Sequence, residues 1–185
     1  MAVTALSLWQ SRPMSLSADL NYGHRDANAF QRLVQSFSST RPGAWLFSKF
    51  LRHLDEAVMR LTGGKHSAPG LLAGLPVLDL TTTGRKSGQP RTSHLISIPM
   101  GDDLALLGTN FGQPKTPAWV LNLESEPRAA VRYRDVTAAV TARPATPAER
   151  ARVMARAAGI YGGYEKYQQR ITGRDVRIFV LESAD

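Results

Sequence analysis

Apolar residues recur along the chain with two different periods, and the change from one to the other falls near Leu75. Upstream, Trp45, Leu46, Phe50, Leu54, Val58 and Leu61 follow one another at helical steps, opened by Arg41-Pro42-Gly43 and closed by Gly63-Gly64. Lys49, Arg52, Glu56 and Arg60 occupy the opposite face, so the spacing predicts an amphipathic helix. Such a helix packs on its own domain, with peripheral membrane contact as the lesser reading. Residues 1–40 are polar and aperiodic, and are read as a partly flexible N-terminal arm with a short helix over 29–37.

Downstream the period shortens to two. Runs over 75–82, 91–98, 104–109, 129–133, 136–142 and 174–181 read as strands. The second run puts His94, Ile96 and Ile98 on one face and Ser93, Leu95 and Ser97 on the other. Turns at Met100-Gly101-Asp102 and Arg134-Asp135 make two hairpins, and close hairpins mean antiparallel pairing. Two helices are expected among the strands. One is short, over 117–124. The other starts at a capping box, with Thr146 as N-cap, Pro147 in the first turn and Glu149 at the third position, and runs to about Ala158. Five or six such strands predict a small barrel: an α+β, mainly β fold, with 41–185 as a single domain.

Composition narrows the chemistry. The 185 residues include no cysteine, which excludes disulfides, thiolate metal sites and a cysteine nucleophile. His24, His53, His66 and His94 are scattered without metal-ligand spacing, so no metal is expected. No apolar run approaches the ~18–20 residues of a spanning helix. The start, MAVTALSLWQSRPM, lacks the basic and apolar regions of a signal peptide, so a cytoplasmic location is expected. The net charge of +8 suits an anionic partner or plain solubility. It is unevenly placed: 81–101 holds Arg85, Lys86 and Arg91 and no acidic residue.

Three segments could carry chemistry. Thr81-Thr82-Thr83-Gly84-Arg85-Lys86-Ser87-Gly88-Gln89-Pro90-Arg91 lies between two strands, with glycines that let the backbone turn and donors suited to phosphate or carboxylate oxygens. It has neither the Walker spacing nor a Rossmann turn. Composition alone leaves an anion site and an ordinary basic hairpin turn level. Gly108-Thr109-Asn110-Phe111-Gly112, followed by Pro117-Ala118-Trp119, ends a strand with small residues that would admit a flat ring; an ordinary turn with a core tryptophan is the simpler reading. Tyr161, Tyr164 and Tyr167 stand at three-residue steps beside Gly162-Gly163, either walling a pocket or packing. No Ser-His-Asp set or carboxylate pair is evident, so a cofactor should carry any reaction.

Taken in order, LTTTGRKSGQPR, GTNFGQPKTPAW, LNLESEP, RPATPAER and IYGGYEKY resemble the deazaflavin-dependent nitroreductase and quinone reductase family, over about 39–182. The resemblance implies a split β-barrel of the flavin reductase and pyridoxamine-phosphate-oxidase type with flanking helices. It also implies coenzyme F-420, an 8-hydroxy-5-deazaflavin with a phosphate and an oligoglutamate tail. Arg85, Lys86, Ser87, Gln89 and Arg91 would then hold the phosphate and tail. Leu107, Gly108, Thr109, Asn110, Pro117, Ala118, Trp119 and Asn122 would line the ring. Tyr161, Tyr164, Tyr167 and Thr109 would shape an acceptor pocket with no classical acid or base. Many members carry lysine where Asn110 stands and an aromatic where Val120 stands. The implied reaction is hydride transfer to a quinone or nitro-aromatic, in a chain that pairs as a homodimer. The alternatives are an FMN-dependent oxidoreductase on the same barrel and a non-catalytic cofactor- or lipid-binding barrel. Nucleic acid is not an expected partner, because the strands do not interleave aromatic and basic residues.

Overall fold

The computed structural model describes residues 15–23, 36–37, 40, 42–43, 45 and 77–184. The amphipathic helix expected over 45–61 and the short helix expected over 29–37 therefore fall outside the described residues or nearly so. Six strands, β1 (Val77–Thr83), β2 (Pro90–Met100), β3 (Asp103–Leu107), β4 (Arg128–Tyr133), β5 (Val136–Pro144) and β6 (Ile178–Ser183), form a closed barrel in the order β1-β2-β3-β6-β5-β4. Every pairing is antiparallel. Closure follows from β1 pairing on both edges, Leu80 opposite Ser93 of β2 and also opposite Val131 of β4. Among the described residues, closure leaves no open sheet edge for a foreign chain to extend.

The two-residue period sorts side chains between two cores. Leu78, Leu80, Leu95, Leu104, Leu106, Val131, Val140, Ala142, Phe179 and Leu181 belong to one cluster, the barrel interior. Alternate residues Ile98, Ala105, Leu107 and Ile178 face outward into a second cluster with Val153, Ala157 and the three tyrosines. That second core lies under α3 (Pro147–Ile160) and α4 (Gly163–Arg170). The expected sorting of β2, with Leu95 opposite Ile96 and Ile98, is the sorting observed.

A barrel has two open ends, and each is closed by a short helix. α1 (Leu16–Asp19) drops Leu16 and Leu20 into the interior, both at most 1% exposed. Its Ser17 donates from N–H and Oγ to the carbonyls of Asp102 and Gly101 at the β2–β3 turn. The Tyr22 hydroxyl then donates to Ser97 O at 2.9 Å and accepts from Ser97 N at 3.2 Å. Ser97 lies one residue beyond the last β1 partner, Ile96, so the phenol satisfies the main-chain groups that β1 leaves unpaired. α2 (Ala118–Ser125) closes the opposite end, with Trp119, Val120 and Leu123 buried in the interior cluster.

Departures from the sequence expectation are local. The helix after the capping box passes Gly159 and ends at Ile160. α4 is a separate helix where only a helical turn was expected. The last strand starts at Ile178 instead of Arg174, because residues 174–177 serve the loop beside them. The capping box itself is present: Glu149 N donates to Thr146 Oγ1, and Thr146 N donates to Glu149. Arg143 grips Glu149 through both terminal nitrogens at 2.8 Å, and with the Thr146 amide it brings the Glu149 carboxyl down to about 2.

Leu20→Ala opens a cavity at the α1 end of the barrel. It is expected to lower unfolding stability by about 2–4 kcal/mol, measured by urea titration. A loss below about 0.5 kcal/mol would show that residues 15–23 are not part of the cooperative core.

Candidate functional site

The β1–β2 turn is held open by its own main chain. Gly84 N donates to Gln89 O, and Gly84 O accepts from Ser87 N and Gly88 N at 3.1 and 2.7 Å. Gly88 sits at φ +65°, a conformation that favours glycine. A Cβ on Gly84 would lie 2.9 Å from Ser87 Oγ and 3.0 Å from Gln89 O, so the turn closes tightly on a residue without a side chain. The result presents Arg85, Lys86, Ser87, Gln89 and Arg91 to solvent. None of the three cations has a carboxylate partner among the described residues.

The root of this turn is tied to α2. Asn122, 5% exposed, accepts from Arg85 N at 3.1 Å and donates to Thr82 Oγ1 at 3.0 Å. Thr82 in turn donates to Arg91 O at 3.3 Å. Asn122 thus uses both ends of its amide on the cationic turn. Its side chain positions the turn.

The β3–α2 loop occupies the same end of the barrel. Gly108 N donates to Arg177 O, and a Cβ there would lie 2.8 Å from Val120, so the close approach it permits is to α2. Asn110, Phe111 and Gly112 follow at φ 49°, 55° and 79°. Two consecutive non-glycine residues in the left-handed region cost on the order of 1–2 kcal/mol each. Asn110 Nδ2 donates to Lys115 O at 2.8 Å. The strongest constraint comes from Arg174, whose guanidinium donates to the carbonyls of Gly108 (2.9 Å), Thr109 (3.2 Å), Gln113 (3.0 Å) and Pro114 (3.0 Å). Sequence reasoning assigned Arg174 only to a strand. A lone arginine after Gly173 gives no local sign that it will serve a loop sixty residues away.

Leu107, Gly108, Thr109 and Trp119 are buried, Asn110 and Pro117 half-buried, and Ala118 exposed. Trp119 packs edge-on against Phe179 at 6.2 Å, in the barrel interior. The tyrosines are 3–5% exposed. Tyr161 and Tyr167 share a hydroxyl hydrogen bond of 2.9 Å, and Tyr161 meets Tyr164 edge-to-face at 5.6 Å. Phe111 rests edge-on against Tyr167 at 6.1 Å, which joins this cluster to the β3–α2 loop. Burial pushes the Tyr164 and Tyr167 phenols well above the ordinary tyrosine value, reinforced by neighbouring tyrosines. They are neutral hydrogen-bonding groups at any physiological pH, unsuited to act as bases.

A second polar cluster lies on the outer face of β1, β2 and β4. Asp79 accepts from Arg132 Nη2 at 2.6 Å and Nε at 3.1 Å, and its other oxygen pairs with His94 Nδ1 at 2.6 Å. Asp79, Arg132, Thr81, Thr92 and Thr137 border a cavity of about 260 Å³. Burial alone would raise the Asp79 carboxyl, but hydrogen bonds from His94 and Arg132 outweigh it and hold it below its ordinary value. A carboxyl lowered by folding contributes stability above its unfolded value, and that contribution is lost as pH falls through the folded one. Asp79→Asn is therefore expected to be about 1–2 kcal/mol less stable at pH 7, a figure reduced for the partial exposure of Arg132. The deficit should shrink as urea titrations move below about pH 4; a deficit independent of pH would refute the ionic account.

Asn122→Ala is expected to lower stability by about 1–3 kcal/mol. Combined with Thr82→Val, the two losses should be non-additive by at least about 0.5 kcal/mol in a double-mutant cycle. Strict additivity would mean that the bond between them carries no energy.

Comparison with known proteins places the chain among relatives of one kind. The family model described as F-420H(2)-dependent quinone reductase matches residues 50–183. Two Mycobacterium tuberculosis proteins named F-420H(2)-dependent quinone reductase are 35% identical over 99 residues, covering 52% of this chain and 64% of theirs. The match thus spans a little under two thirds of the length of those curated relatives. A solved F-420-H2-dependent reductase aligns at TM-score 0.53 and 31% identity, over 58% of this chain and 94% of that one. A structure described as a domain-swapped dimer aligns at TM-score 0.55 and 28% identity, over 76% of this chain and 99% of its own. Among the described residues, no helix is long and apolar enough to cross a membrane. The chain belongs to the F-420H(2)-dependent quinone reductase family, whose cofactor is coenzyme F-420.

Proposed function

We propose that the protein is an F-420H2-dependent oxidoreductase that reduces an electron-poor acceptor, a quinone first and a nitro-aromatic second. The observation that carries this reading is the β1–β2 turn. Three cations without carboxylate partners are held on a rigid turn, at the barrel end that also carries the β3–α2 loop.

The residues fit the cofactor's chemistry. Phosphate and oligoglutamate oxygens require several exposed donors on a backbone that does not have to reorganise. Arg85, Lys86, Ser87, Gln89 and Arg91 supply them. One phosphate, as in FMN, would leave part of this charge unanswered. The neighbouring loop, with Gly108, Thr109, Asn110, Pro117 and Ala118, would receive the ring. Leu107, Trp119 and Asn122 support it from behind, being buried.

Bound in reduced form, the deazaflavin would supply a hydride from a ring carbon to an acceptor stacked on it. The chain's part is alignment and exclusion of water. Thr109, with Tyr161, Tyr164 and Tyr167 behind Phe111, would border the acceptor. Phenols kept neutral by burial can donate to charge that develops on an acceptor oxygen, and cannot withdraw a proton from it. The solved neighbour described as a domain-swapped dimer supports pairing of two copies as part of this reading.

Titration with F-420 and, separately, FMN, followed by tryptophan fluorescence, tests the proposal. Micromolar or tighter binding of F-420 is expected, weakened about a hundredfold by Arg85→Ala with Lys86→Ala, since each charge-assisted bond is worth about 1.5–3 kcal/mol. Anaerobic oxidation of F-420H2 by a soluble quinone should follow. Preference for FMN, or binding of neither, would overturn the reading.

A further inference from the structure

Four of the five N–H donors of Arg174 go to main-chain carbonyls of the β3–α2 loop, at Gly108, Thr109, Gln113 and Pro114. No carboxylate pairs with it among the described residues. The loop it grips contains two non-glycine residues at positive φ, Asn110 and Phe111, and such conformations persist only where the surroundings over-determine them. The other ties on this loop are weaker. Gly112 N donates to Thr109 O and Gln113 N to Asn110 O, both within the loop itself, and Asn110 Nδ2 reaches only as far as Lys115 O. From outside come Gly108 N to Arg177 O, the Phe111 ring against Tyr167, and the close approach of Gly112 to Tyr167 and Arg170, none of which holds both ends of the loop at once. Both ends of the strained segment, 108–109 before it and 113–114 after it, therefore converge on one guanidinium.

We propose that Arg174 is a positioning residue for hydride transfer: by clamping both ends of residues 108–114 it fixes the surface on which the deazaflavin ring lies, while the cationic turn fixes the phosphate and tail. The inference rests on the proposed function. A planar fork with donors in fixed directions can hold several carbonyls at once, whereas an ammonium on a flexible stem cannot reproduce that pattern. Removing the clamp should let the ring shift without releasing the charged end. A displacement on the order of 1 Å costs about a hundredfold in rate.

Arg174→Lys keeps the charge and loses the fork. In the free protein, amide hydrogen exchange over residues 108–114 should accelerate at least tenfold, while β1, β2 and β4 stay unchanged. With F-420H2 and a soluble quinone, kcat should fall ten- to a hundredfold while the Kd for F-420 changes less than threefold. Arg85→Ala with Lys86→Ala should show the opposite split. Arg174→Ala, assayed below its melting temperature, should regain part of its kcat on addition of millimolar guanidinium. Unchanged exchange, or an Arg174→Lys enzyme with normal kcat, would overturn the inference and leave the proposed function intact. A wild-type protein that binds no F-420 would overturn the proposed function, and the inference with it.

Discussion

The structure depends on β1 pairing along both edges. Once β2 and β4 both hold it, six short strands form a closed cylinder, and the remaining problem is two apolar holes. The chain closes one with Leu16 and Leu20 and the other with Trp119, Val120 and Leu123. The two closures differ in consequence. α1 meets a hairpin turn through Ser17, and Tyr22 after it meets the surplus main-chain groups of Ser97. α2 carries a buried polar side chain, Asn122, into contact with the β1–β2 turn. Closing that end therefore also sets the geometry of the cationic turn.

The division of labour at the α2 end is electrostatic. Arg85, Lys86 and Arg91 stand in water, where mobile charges suit a charged, extended partner and exchange easily with counter-ions. The Tyr161–Tyr164–Tyr167 cluster is dry, and burial raises the Tyr164 and Tyr167 phenols well above the ordinary tyrosine value. The β3–α2 loop lies against this dry cluster through Phe111, at the end of the barrel that also carries the wet turn. It is both irregular and held in place. Its backbone cannot be paired in a ladder, and Arg174 supplies from outside the donors that a strand neighbour would otherwise provide.

Much of the fold was legible because it is written in local signals. Alternating apolar residues, the turns at Gly101-Asp102 and Arg134-Asp135, and the Thr146-to-Glu149 box each predict their element within a few residues. The cationic turn was legible for the same reason, since its glycines and cations are contiguous. What was not legible joins residues far apart. Asn122 to Arg85 and Arg174 to Gly108 are contacts across 37 and 66 residues, and polar side chains at those positions carry no mark of their partners. Leu16 and Leu20 sit in a stretch whose period is too short to register, yet they are among the most buried side chains. The tyrosine spacing is equally compatible with a pocket wall and with a packed face; all three are buried in the second cluster, which meets the β3–α2 loop through Phe111.

That burial bears on how such a site can work. On the proposed reading, a hydride acceptor beside Tyr164 and Tyr167 would meet hydrogen-bond donors that do not change protonation across the physiological range. The rate of a reaction organised this way should depend on geometry far more than on pH, because no group at the α2 end among those with a displaced titration falls near neutrality: Tyr164 and Tyr167 are raised, and Arg174, lowered by burial and by Arg177, remains a cation. Alignment is then the quantity the fold must deliver. On the proposed reading, alignment would trace back to two side chains: Asn122, which ties Arg85 N to Thr82 Oγ1, and Arg174, which holds four loop carbonyls.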